Sequence, residues 1–176
     1  PSYLERSGEL SYRPLVTLSY MADAALWGVR ASGFHLSNLF LHALAVCVGW
    51  RLVRSWLPRL AALSSAALFA VHPAASEAVL SIAYREELLF TLFGLGALAL
   101  VAPALREQAP LRLRGCMASW GLFILALLSK EMAVSLPLLV AFLAIHSAPG
   151  SPAHGAFQSL WRQRRLLLGL FVITVV

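Results

Sequence analysis

Between two apolar runs the stretch HPAASEAVLSIAYREELL, His72 to Leu89, sets a histidine, a tyrosine, an arginine and three glutamates. Imidazole and guanidinium donate hydrogen bonds and can carry positive charge, which suits them to phosphate oxygens, whereas carboxylates orient a histidine or accept from a hydroxyl. On that chemistry His72 could donate to a phosphate, and Glu77 could orient the ring or accept from a hydroxyl. Arg85 follows Glu77 by eight residues, two turns along one face if the segment is helical, a separation suited to framing a pocket. Glu86 opens the next helix beside Arg85, and Glu87 is expected to face solvent. A solvated loop is the plainer alternative for the whole stretch.

Three further groups have types that could join such a site. Arg13, in SYRPL, presents a planar five-donor head that can hold a phosphate at two points, or simply anchor the chain at an interface. His35, Asn38 and His42 are spaced i, i+3 and i+7, so one helix face would carry them inward, either to hydroxyls of a ligand or to bonds between helices. Lys130, the single lysine of the chain, stands with Glu131 in SKE, midway through an apolar block running from Cys116 to Ile145. A charge at that place is costly unless it pairs or binds, so Lys130 is a candidate ligand for a lipid-linked phosphate, with Glu131 tuning it. A polar turn between two helices is the bland alternative.

The elements that must position these groups are membrane helices. The chain of 176 residues is 60% hydrophobic and 12% charged, about half the charge of an ordinary soluble domain. Its mean hydropathy is +0.77. The fold class expected is therefore all-α, a polytopic transmembrane helix bundle. Residues 1–33 are expected to form an outer-face loop and an interfacial helix, with Leu15, Leu18, Ala22, Ala25 and Leu26 on its apolar face and Tyr20 and Trp27 as anchors. Residues 34–176 are expected to form the bundle, with helices near 34–54, 60–72, 87–105, 115–129, 132–146 and from 166 onward. Pro73 should end the second of these, and residues 146–165 should form a connection rich in Pro, Gly and Ser that ends in arginines. The fourth and fifth helices, roughly fifteen residues each, span only about 22 Å at 1.5 Å per residue.

Arginines supply a second test of this order. Arg51, Arg54 and Arg59, then Arg106, Arg112 and Arg114, then Arg162, Arg164 and Arg165 fall in alternate connections, as the positive-inside rule requires of a cytoplasmic face. The SYRPL, HPAASEAVLSIAYREE and SKE groups would share the opposite face. The net charge of +6 thus reads as a membrane-orientation signal and not as a nucleic-acid surface. No nucleotide-binding glycine loop, metal-ligand cluster or nucleophile elbow is present, so no cofactor is expected and no ligand set argues for a metal. Cys47 and Cys116 are expected to be buried small apolar residues. The start of the chain lacks a signal peptide's pattern and its end lies in an apolar run, so it is expected to be cut from a longer membrane protein.

Four stretches, SYRPLVTLSY, FHLSNLFLHAL, LFAVHPAASEAVLSIAYREELL and LLSKEMAVSLPLLV, together resemble the polytopic C-type glycosyltransferases that carry tetratricopeptide repeats, the O-mannosyltransferase-like membrane proteins of animals and their bacterial relatives. The resemblance implies transfer of a sugar, mannose in the animal members, from a polyprenyl- or dolichyl-phosphate carrier to a hydroxyl of an acceptor protein on the outer or lumenal face. It carries a binding or positioning role onto Arg13, His35, Asn38, His72, Glu77, Arg85, Glu86, Lys130 and Glu131. The acidic motif that supplies the family's general base is expected upstream of residue 1. Glu5, Glu9 and Asp23 lie outside that motif and receive no catalytic role. The Ala- and Arg-rich composition leans toward a bacterial plasma membrane, the endoplasmic reticulum being the membrane of a eukaryotic member. The alternatives are a multi-pass transporter or a lipid-binding protein without transferase activity. Against a transporter stand the gathering of charge on one face and the lack of an internal repeat.

Overall fold

The computed structural model describes residues 13–107, 109–146, 158 and 160–175, which are helical throughout their regular structure and contain no strand. The loop expected over residues 1–12 and the connection expected over 147–157 lie outside these residues. We number the helices α1 (Pro14–Trp27), α2 (Ala31–Val53), α3 (Arg59–Val71), α4 (Pro73–Leu80), α5 (Arg85–Arg106), α6 (Leu113–Leu127), α7 (Leu136–His146) and α8 (Arg164–Val175). Two short 3-10 turns, Ile82–Tyr84 and Glu131–Ser135, lead into α5 and α7.

Among the described residues two spans are long and apolar enough to cross a membrane, Ala31–Val53 and Ile82–Arg106, with α3 and α4 as a third if that bent pair is one crossing. At 1.5 Å per residue their lengths are about 35 Å, slightly more than the hydrocarbon thickness. Leu36, Leu39 and Phe40 of α2, Leu60 and Leu68 of α3, and Phe171 and Val172 of α8 all stand exposed on the protein's outer surface. Water would penalise so much contiguous apolar area, whereas lipid does not.

Helix boundaries follow from a few residues. Pro73 disfavours the α conformation for His72 and has no N–H to offer, so α3 stops and α4 restarts at 50° to it. His72, extended at that bend, accepts from the Ala74 N–H through Nδ1 (3.2 Å) and caps α4. Gly28 closes α1 at φ +64, a value that residues with a Cβ rarely adopt, and thereby lets α1 fold back on α2.

α5 is the central helix and packs most extensively on α6 and α2. Along its carboxyl-terminal two-thirds Leu98, Val101 and Leu105 meet Cys116 and Phe123 of α6, Val140 of α7, and Leu166 and Leu170 of α8 in one apolar core. Gly169 of α8 lies flat against the Trp120 ring, where an added Cβ would come within 2.2 Å of it. Around the amino-terminal end of α5 the packing is polar instead. Arg85, only 1% exposed, forms an ion pair with Asp23 of α1, itself 6% exposed. It also donates through Nε to Asn38 Oδ1 (2.8 Å), through Nη2 to Phe34 O (3.0 Å) and through Nη1 to Ser19 O (3.4 Å). Ser37 Oγ donates to Asp23 Oδ1 (2.7 Å), and Asn38 passes its own N–H groups to Val79 O and Ser81 O.

Several expectations are corrected here. Tyr20 is no interfacial anchor: its ring lies 4.7 Å under the Arg85 guanidinium and its hydroxyl donates to Ile82 O, because a cation without water seeks an aromatic face. Burial pushes the Tyr20 phenol above its ordinary value, against the pull of Arg85, so it stays a donor. α1 nevertheless turns Leu18, Ala22, Ala25 and Leu26 outward and Val16, Tyr20 and Asp23 inward. Cys116 is buried, but Cys47 is exposed on α2, where the bilayer can provide the apolar surroundings that protein was expected to supply.

A buried ion pair loses far more when one partner is removed than when both are. Arg85→Leu and Asp23→Leu should each cost about 3–5 kcal/mol in denaturant unfolding of the detergent-solubilised intact protein, and the double replacement much less than their sum. Additive costs would show that the two side chains do not depend on each other.

Candidate functional site

Three consecutive residues at the start of α5 reach three different partners. Arg85 points into the network above. Glu86 accepts an ion pair from Arg13 Nη1 at 3.0 Å, and Arg13 Nη2 also reaches Glu131 Oε1 at 3.5 Å. Glu87 is paired with Lys130 Nζ. Successive helical residues diverge by about 100°, so the Arg-Glu-Glu run is able to hold α1, the 129–131 turn and the α1–α2 interior at once. A backbone bond from Leu15 N to Leu128 O (3.3 Å) joins the start of α1 to the end of α6 and brings Arg13 to that turn.

Glu87 also lines a cleft of about 460 Å3 bounded by α2, α3, α4 and α5. Its polar lining is His42, His72, Glu77, Tyr84, Glu87 and Thr91, and its apolar walls include Ala45, Phe69 and Leu88. Because His72 Nδ1 accepts from the Ala74 N–H, the neutral ring carries its proton on Nε2, as a donor to an incoming oxygen. His42 Nε2 lies 3.1 Å from Ala70 O and must donate there, which makes Nδ1 its acceptor in the neutral ring. A size of several hundred Å3, apolar walls and few convergent polar groups are what a pocket for an amphipathic small molecule requires. Among the described residues no three His, Cys, Asp or Glu side chains converge on a point that would hold a metal ion.

Of the residues singled out from sequence, Arg13 pairs with Glu86 and Glu131, Lys130 pairs with Glu87 next to them, and His72 and Glu77 share the cleft that Glu87 lines. Arg85 and Asn38 are buried beneath both and do not line the cleft. The expectation that Glu77 and Arg85 frame one pocket is therefore corrected: Ser81 and the 3-10 turn break the helix between them and rotate Arg85 toward α1. Glu87, expected to face solvent, keeps a side chain that is 41% exposed and also pairs with Lys130 at the mouth of the cleft. Asn38 and His42 face inward as their spacing suggests, but His35, nearer the start of α2, is exposed.

Sequence reasoning passed over Asp23, Ser37, Tyr84 and Thr91. Asp23 did leave a signal, a single carboxylate among the apolar residues of α1, which a cation was bound to meet.

Comparison with known proteins adds relatives but no solved structure and no family model, neither of which matches. The chain is 34% identical over 145 residues to Protein O-mannosyl-transferase F38B6.6 of Caenorhabditis elegans, covering 78% of this chain and 20% of the relative. It is 40% identical over 79 residues to Protein O-mannosyl-transferase Tmtc1 of Drosophila melanogaster, 44% of this chain and 9% of the relative. With Protein O-mannosyl-transferase TMTC3 of Mus musculus it shares 36% identity over 97 residues, 55% and 10% of the two chains. It thus spans a fifth or less of the length of these curated relatives.

The single lysine makes the Lys130–Glu87 pair directly measurable. Glu87→Gln should raise the rate of Lys130 acylation by an amine-reactive reagent several-fold, read at the peptide level by mass spectrometry, while Glu77→Gln leaves it unchanged. Equal rates in the native and Glu87→Gln proteins would mean that the pair does not hold in the membrane.

Proposed function

The chain belongs to the family of protein O-mannosyl-transferases, and from that premise we propose that it forms the donor-binding part of a membrane glycosyltransferase. The donor in this reading is mannose on a polyprenyl- or dolichyl-phosphate carrier, the acceptor is a protein hydroxyl, and the reacting face is the extracytoplasmic or lumenal one. The observation that carries it is the cleft, where donors and acceptors at the mouth adjoin apolar walls and Lys130 stands one ion pair away.

The chemistry follows from those groups. A lipid-linked sugar phosphate needs an apolar bed for the start of its chain, acceptors for sugar hydroxyls and cations for the phosphate. His72 Nε2–H and the Lys130 ammonium serve the phosphate, Glu77 and Glu87 the hydroxyls. Lys130 rests on Glu87. An arriving phosphate competes for the ammonium and releases Glu87 to the sugar. As the bond from the sugar carbon to the phosphate oxygen breaks, negative charge grows on the phosphate, and fixed donors there stabilise the transition state more than the ground state. One such contact worth about 3 kcal/mol changes the rate by over a hundredfold. Arg13 and Arg85 act at one remove in this scheme, holding Glu86, Glu131 and Asp23 and so fixing the start of α5.

Opposite charge patterns at the two ends of α5 support the choice of face. Arg85, Glu86 and Glu87 open the helix, and about 33 Å away Arg106 lies with Arg51 and Arg54 around a separate hollow. Under the positive-inside rule the arginine end is cytoplasmic.

In proteoliposomes of the intact protein supplied with dolichyl-phosphate mannose and an acceptor peptide, His72→Ala and Lys130→Ala should each lower transfer by about a hundredfold or more with membrane insertion unchanged. His35→Ala, outside the cleft, should lower it by about threefold at most. Native rates in both of the first two variants would overturn the reading.

A further inference from the structure

A second cavity, of about 350 Å3, lies between the connection that precedes α6 and the start of α8, among the arginine-rich connections. The proposed transfer makes no use of it. Its lining includes Leu111, Trp161, Arg162, Arg164 and Arg165. The frame is built from buried polar contacts. Gln163, 3% exposed, donates through Nε2 to Ala109 O (2.7 Å) and accepts from Leu111 N–H (3.3 Å), which fastens the two walls together. Trp120 Nε1 donates to Leu166 O (3.1 Å) and sets the depth of α8 against α6.

Charge balance distinguishes this cavity from the cluster around α5. There, each of Arg13, Arg85 and Lys130 rests on a carboxylate. Here, among the described residues, no carboxylate forms an ion pair with Arg164 or Arg165, and Arg164 stacks on Trp161 with its guanidinium 4.6 Å from the ring centroid. Guanidiniums crowded around one hollow repel each other, and an anion placed among them removes that repulsion while accepting from their planar forks. The depth of the hollow points to the source of the anion. Trp161 is 58% exposed beside the arginines, and Leu168, Phe171 and Val172 one to two turns further along α8 are exposed and apolar. Aromatic and cationic side chains directly above a lipid-facing apolar surface mark head-group level.

We propose that this cavity binds the phosphate of an anionic phospholipid head group, with Arg164 and Arg165 as its principal donors. The lipid's acyl chains lie along the exposed face of α8, and the bound lipid joins α8 to the connection before α6.

Native mass spectrometry of the intact protein, purified from detergent with phosphatidylcholine or phosphatidylglycerol, tests it. Phosphatidylglycerol should be retained in preference to phosphatidylcholine, and Arg164→Gln with Arg165→Gln should weaken that retention by about tenfold or more. Arg51→Gln with Arg54→Gln, in the hollow that Glu107 shares, should change it by about twofold at most. Equal loss in the two pairs would assign the effect to the overall charge of the face and overturn the proposal. Inorganic phosphate displacing the lipid at equal concentration would make this a site for free anions and overturn the lipid assignment. Should the glutamine pair fail to insert, Arg164→Lys with Arg165→Lys keeps the charge and removes the planar forks. Retention should fall several-fold there too, and undiminished retention overturns the proposal.

Discussion

A guanidinium that no water reaches governs the polar half of this protein. Arg85 has five N–H donors and a positive charge at a depth where neither can be left unmet, and what meets them comes from α1 and α2: Asp23, Asn38, Phe34 O and Ser19 O, with the Tyr20 ring below. Asn38 extends the same set to Val79 and Ser81 at the end of α4. The residue thus sets the position of α1 against α2 and α5. α1 has few buried side chains, and its inward face is defined by the charge it must bring to Arg85.

Once Arg85 is set, the next two positions are set with it. Glu86 and Glu87 leave the helix in different directions and take Arg13 and Lys130 respectively. These residues hold their cations in pairs, in surroundings where an unpaired charge is expensive, and keep Lys130 at the cleft mouth. Breaking such a pair is unfavourable unless a new anion takes over the cation, which favours exchange with a phosphate over exposure to lipid. The far half of α5 uses the opposite strategy, with small and branched apolar residues against α6, α7 and α8. The cleft sits where the two kinds of packing meet.

Much of this was legible beforehand because it depends on local rules. Pro73 ends a helix wherever it stands, and a charged turn in a thirty-residue apolar block divides it into two helices; these dictate the bend at His72 and the break at Ser129 to Glu131. The membrane character, the all-helical class and the pairing of cations with carboxylates likewise follow from residue types and the cost of burying charge. Tyr20 and His35 were misjudged for one shared reason: a side chain on one face of a helix can meet a neighbouring helix or nothing, and periodicity does not say which.

By itself the sequence determined that the chain is a helical membrane protein with polar groups gathered on one side, since hydropathy, proline and arginine spacing act along the chain. Only the tertiary structure decided that Arg85 belongs to Asp23, that Glu87 belongs to Lys130, and that His72 and Glu77 share a cleft with Glu87 while Arg85 faces away. Such assignments, with that of Arg13 to Glu131, join residues up to 118 positions apart. Electrostatics demands that each buried charge find a partner, but which partner depends on how helices are rotated and set in depth, and only the assembled tertiary structure fixes those.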